Sequence, residues 1–146
     1  MIEQRLEQDL KTAMLARESF TVTTLRGLKS TILNVKVAAG TRDKPLPDNE
    51  VIALFSKEAK KRQEAASMYM QGGSIERADA ELAEKAIIEA YLPAQLSERE
   101  VATIIEATIA DEPDAAFGQI ISIVRQKTNG SADGAVIARL VKEKLQ

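Results

Sequence analysis

The sequence predicts an all-α protein, an N-terminal four-helix domain followed by a compact three-helix domain. Apolar residues recur at steps of three and four along almost the whole chain, the period of amphipathic helices. Aromatic residues are only 3% and Trp is absent, so Leu, Ile, Val, Ala and Met must build the core, which suits helix-on-helix packing better than a β-sandwich. With 45% hydrophobic residues in 146, the chain can bury one mid-sized core or two small ones.

The first helix is expected from about Ile2 to Ala16, where Ile2, Leu6, Leu10 and Met14 form one stripe. A second follows near Thr21, with Leu25, Leu28, Ile32, Val35 and Ala39 as its packing seam. Gly40 stops it, and GTRDKPLPDN reads as a polar loop with two prolines. Asp48 is the expected N-cap of a third helix bearing Val51, Leu54, Phe55, Ala59, Ala66 and Tyr69, which ends at Gly72-Gly73. Ser74 then caps a fourth, SIERADAELAEKAIIEAYL, closed by Pro93.

Beyond Pro93, Ser97-Glu98-Arg99-Glu100 has the spacing of a capping box, with Val101, Ile104, Ile105 and Ile109 behind it. Pro113 and Asp114 are expected to open a sixth helix carrying Phe117, Ile120, Ile121 and Val124 on its apolar face. Asn129-Gly130 ends it, since both residues tolerate the left-handed conformation. Ser131 or Asp133 caps a last helix with Val136, Ile137, Leu140, Val141 and Leu145. Helices of this length are marginal alone, so residues 97–146 read as one mutually packed unit, separate from a domain of residues 1–92.

Cys and His are both absent. That removes disulfides, the usual zinc ligands, thiolate nucleophiles and imidazole bases. No metal and no cofactor is expected. The charged opening MIEQRLEQDLKTAM has no signal-peptide core, and no apolar run reaches the ~20 residues of a membrane span. A cytoplasmic location without membrane attachment is the expectation.

The net charge of −2 hides an uneven distribution. Residues 20–47 carry a local +4, residues 76–100 a local −4 and residues 118–146 a local +3. A basic face on an acidic protein is therefore feasible.

KKRQEAASMYMQGG, ELAEKAIIEAYLPAQLSERE and FGQIISIVRQKTNGSADGAVIARLVKEKL together resemble the YqeY-like family over essentially the whole chain. Tyr91-Leu92-Pro93 with Gln95-Leu96, and Gly130 with Ala132-Asp133-Gly134, are the most specific pieces. The C-terminal unit is similar to the tail of the B subunit of aminoacyl-tRNA amidotransferases, which helps bind tRNA. The resemblance implies a helical protein without established catalysis, its partners tRNA or a protein of tRNA metabolism. It also raises two alternatives, a carbon–nitrogen ligase with glutamine as nitrogen donor and a protein-interaction module. One departure stands out, because Ser74 occupies a position where the family pattern leads us to expect arginine, with Arg77 a helical turn later.

The RNA-binding candidates are Arg125, Lys127, Gly130, Gly134, Lys142 and Lys144. The glycines bracket a turn into a helix N-terminus, where free amides suit phosphate, and the cations lie on either side. No Tyr or Trp follows Tyr91, so recognition is expected through backbone and shape rather than base stacking. A secondary basic patch, Lys57, Lys60, Lys61 and Arg62, reads first as a solvated, salt-bridged surface and second as a phosphate-contacting stripe. Glu76, Asp79, Glu81, Glu84 and Glu89 sit on one helix and read as a solvated acidic face, with no catalytic residue assigned among them or elsewhere. Tyr69 and Tyr91 are expected to pack at the domain junction with their hydroxyls bonded or wet.

Overall fold

A computed structural model describes residues 1–146 and contains seven α-helices and no strand. The chain divides into two compact units, Met1–Leu92 and Pro93–Gln146.

In the first unit, α1 (Ile2–Leu15) and α2 (Ser19–Ala38) form one antiparallel pair, and α3 (Asp48–Gln71) and α4 (Ile75–Glu89) form another. Leu6, Leu10, Ala13, Leu25, Leu28, Ile32, Leu46, Val51, Phe55, Ala59, Ile88 and Tyr91 make the core. The seams expected on α1 and α2 run past it at their ends. Met14 is 48% exposed while Ala13 is buried in its stead, and Val35 and Ala39 are exposed.

Asp48 does not cap its own helix. Pro47 holds that position, and the Asp48 Oδ1 instead accepts the Ile2 amide of α1 at 2.9 Å. The proline fixes a suitable φ before the first turn, which leaves the carboxylate free for a different orphan donor. Glu3 completes this clasp. Its two oxygens accept from Lys36 Nζ at 2.7 Å and from the Leu46 amide at 2.8 Å. The polar loop after α2 is thereby tied to the start of α1.

Beyond Ala59 and before Ile87, the α3–α4 hairpin continues without any member of the core cluster. Only Ala66 and Ala78 are buried there, and their small side chains let the helices approach closely. Polar pairs replace the missing apolar ones. Arg62 Nε donates to Glu84 at 2.8 Å, Arg62 Nη1 to Glu58 at 3.1 Å, and Lys85 Nζ to Gln63 Oε1 at 2.8 Å. Gly73 closes the tip with φ +79°, a conformation open to glycine at little cost. Ser74 occupies the N-cap of α4 without a side-chain bond to it.

Tyr69 lies in the last turn of α3, at the hairpin tip, and the Arg77 guanidinium sits 5.9 Å from its ring centroid. Tyr91 lies just beyond α4, which stops at Glu89 and not at Pro93. Its ring meets Phe55 edge-on at 5.8 Å, Arg5 covers it at 4.6 Å, and its hydroxyl donates to Asp9. Burial, then the Asp9 bond and charge, push the phenol well above its usual range. It is a neutral, packed tyrosine, held to its expected role by three partners.

The second unit holds α5 (Glu98–Asp111), α6 (Phe117–Thr128) and α7 (Gly134–Leu145) around Val101, Ile105, Ile120, Val124, Ile137, Leu140 and Val141. The capping box forms as its spacing requires. The Glu100 amide donates to Ser97 Oγ at 3.1 Å, and the Ser97 amide to Glu100 Oε1 at 3.2 Å. α6 starts later than expected. Pro113 and Asp114 lie in the turn before it, Ala116 is its N-cap, and Gln119 Oε1 accepts the Ala116 amide at 2.8 Å. As the first helical residue, Phe117 extends off the end of the core and is 45% exposed, not covered within the apolar stripe. Asp133 caps α7 through the Ala135 amide at 2.8 Å, while Ser131 is buried and bonds backward to the Thr128 carbonyl.

Candidate nucleic-acid interface

The corner between α6 and α7 is built by backbone conformation. Asn129 adopts φ +33° and Gly130 φ +83°, so two consecutive left-handed residues end α6. The preceding extended segment is sewn to this corner, with the Leu96 amide donating to Ser131 O at 2.7 Å and Gln95 Nε2 to Gly130 O at 2.9 Å. Gly130 is thus a structural requirement. Gly134 is not, because a Cβ there would lie 4.0 Å from the Arg125 side chain, an ordinary contact.

The six candidates divide into distinct groups. Arg125 is exposed, has no ion pair, and lays its guanidinium beside Gly134 at the start of α7. Lys142, also exposed, has no carboxylate partner. Lys127 turns inward to α5, where its Nζ donates to the buried Thr108 Oγ1 at 2.9 Å. Lys144 pairs with Glu106 of α5. Arg139, outside the predicted set, pairs with Glu98 and with Glu143. So α5 absorbs Arg139 and Lys144 with its own carboxylates, while Arg125, Lys142 and also Arg99 of α5 itself have no ion pair. Thr108, Glu98 and Glu106 decide this division, and each acts across 19 to 41 residues of sequence, where local spacing carries no signal.

The secondary patch divides as well. Arg62 faces α4, with Glu58, Glu81 and Glu84 all within 3.9 Å. Lys61 bonds Glu58 at 3.3 Å, and Lys57 and Lys60 have no partner. The same contacts answer the acidic stretch on α4. Glu81 and Glu84 are counter-ions to Arg62, and Glu89 lies 3.9 Å from Lys85. None of the candidate residues lines the open depression of about 450 Å3 bounded by Glu112, Asp114, Ala115, Gln119, Ser122 and Ile123.

Seven helices in two compact units, without a strand, define an all-helical protein of two units. The chain belongs to the family described as Yqey-like protein, whose model matches residues 3–145. Among characterised proteins it is 36% identical over 89 residues to altered inheritance of mitochondria protein 41, mitochondrial, of Eremothecium gossypii, covering 61% of this chain and 48% of the relative. The same-named protein of Vanderwaltozyma polyspora is 31% identical, covering 73% of this chain and 57% of its own length. That of Kluyveromyces lactis is 28% identical, covering 84% and 69%. The chain thus spans about half the length of the first of these relatives.

These relatives correct one expectation. All three are named as mitochondrial proteins, which conflicts with the cytoplasmic location inferred from composition. The physical reason is simple. Lack of Cys and of long apolar runs leaves nothing that ties the chain to an oxidising compartment or to a membrane span, and it does not separate one aqueous compartment from another. No helix is long and apolar enough to cross a membrane.

Proposed function

We propose that this protein is a non-catalytic accessory factor whose C-terminal unit binds the phosphate backbone of structured RNA, tRNA in the first instance. The observation that carries this reading is that Arg125 and Lys142, unlike Arg139 and Lys144, have no carboxylate partner; the sequence resemblance of this unit to a tRNA-binding tail supplies the class of ligand. Lys127 and Lys144 already have partners on α5, so they contribute less. At the Gly130 corner Asp133 already occupies the start of α7 through the Ala135 amide, so the Arg125 guanidinium, and not the helix end, is the group offered to a phosphate. Binding of this kind follows shape and charge, with little base discrimination.

Filter binding of labelled tRNA at low and moderate salt tests the proposal. Charge removal at Arg125, Lys127, Lys142 and Lys144 should weaken retention, with Arg125→Gln and Lys142→Gln accounting for most of the loss. Retention equal to wild type by the fourfold variant would refute it. The ligase alternative requires ammonia release and carboxyl activation, for which this chain supplies no thiol, imidazole or phosphate-binding glycine loop. Sustained turnover of glutamine and ATP with misacylated tRNA by the pure chain would establish it instead.

A further inference from the structure

We infer that the outer edge of α3 is a second, independent contact for an RNA backbone, formed by Lys57, Lys60 and Lys61 and excluding Arg62. This rests on the RNA reading above for the class of ligand, but on different residues in a different unit. Residues three and four apart share a helical face, so the three lysines form one short stripe. Arg62 points away from it into the α4 carboxylates. Lys57 and Lys60 have no partner, and Lys61 gives one bond to Glu58 while its side chain stays 59% exposed. Glu64 lies on the same face without an ion pair to any of them, and with the Glu58 carboxylate bonded to Lys61 the three lysines keep a local excess of one positive charge.

Three features suit this stripe to phosphates. One turn of helix separates Lys57 from Lys61 by about 6 Å along the axis, on the order of the spacing between successive phosphates of a strand. Lysine ammonium groups are compact charges on flexible stems and tolerate sequence variation in the backbone they follow. The edge is also stiff, since Arg62 and Lys85 fasten α3 to α4 behind it.

The test is the salt dependence of tRNA binding by the full-length chain. For Lys57→Gln/Lys60→Gln/Lys61→Gln, the slope of log affinity against log salt should become shallower by about 2, as phosphate contacts are lost. Arginine at the same three positions should restore the wild-type slope, and Lys11→Gln, at an exposed lysine of α1, should leave it unchanged. If the triple Gln variant keeps the wild-type slope while Arg125→Gln/Lys142→Gln loses it, the α3 edge is no RNA contact and the tail reading stands. A drop of the same size in Lys11→Gln would reduce the effect to bulk charge and also overturn the inference. Failure of the wild-type chain to bind tRNA removes both readings together.

Discussion

Arg17 sits at φ +59°, immediately after the C-cap of α1, where the Glu18 amide bonds back to Ala13 O at 3.0 Å. This is the geometry in which helices end on glycine, and an L side chain pays for it in steric contact with its own backbone. Arg17 makes no salt bridge that would offset the strain. Arg17→Gly should therefore stabilise the first unit by about 0.5–1 kcal/mol, after allowing for the greater unfolded-state entropy of glycine. Urea denaturation followed by a probe in residues 1–92 measures it, and a lower midpoint would count against the argument. Glu3 makes the opposite kind of contribution. Burial alone would raise its carboxyl, but the Lys36 bond and charge, the Leu46 amide and the Lys29 charge outweigh that and hold it below its usual value. A depressed carboxyl stabilises the fold above its unfolded-state pKa, and this stabilisation disappears as pH falls through the folded value. Acid should thus loosen the α1–loop clasp below about pH 4, and Glu3→Gln should flatten that acid limb. At neutral pH the same substitution should cost about 2 kcal/mol, since it leaves Lys36 without its charge partner.

At the scale of elements, the α3–α4 hairpin is the least ordinary part of the fold. Its distal half is held by one guanidinium among three carboxylates and by two small buried alanines, not by an apolar core. Arg62→Met keeps the aliphatic stem but strands Glu58, Glu81 and Glu84 together, so the distal turns should open before the rest of the unit. Hydrogen exchange of amides 62–84 should accelerate by at least tenfold, corresponding to about 1.4 kcal/mol or more, while that of Leu6 and Leu28 stays slow. Uniform acceleration across the unit would mean that the arm is not a separate cooperative segment. The helices themselves were legible in the sequence because each repeats its apolar residues at the helical period. The Ser97 box and the Asn129-Gly130 stop were legible too, since capping chemistry is local. What escaped was whatever depended on a distant partner. Asp48 looks like a cap for α3 until Ile2 arrives from 46 residues away. Arg62 looks like one more surface cation until Glu84 faces it from the next helix, and Lys144 looks free until Glu106 is beside it. Phe117 and Met14 fit their stripes by period alone, and only the length of the opposing core shows that both overrun it.

For the molecule as a whole, the connection between the units bears on how the function is distributed. Tyr91 and Leu92 are packed into the first core, whereas Gln95 and Leu96 are bonded to the Gly130–Ser131 corner of the second. The second unit therefore contains its own start, its own capping box and an unbroken core of seven buried side chains. A chain segment of residues 93–146 is small for independent stability, so each local device matters. We expect the 93–146 fragment to fold cooperatively, with Ser97→Ala lowering its stability by about 1 kcal/mol through loss of the cap. Thermal unfolding of the fragment, with and without that substitution, gives the measurement. A fragment with helical signal but no cooperative transition would show that the seven-residue core is insufficient, and would assign part of its stability to the intact chain. A cooperative fragment would carry Arg125 beside Gly134 and Lys142 on α7, since α6 and α7 both lie within it. Its affinity for tRNA at low and moderate salt would then test the proposed contact of the second unit by itself, free of the lysine edge on α3.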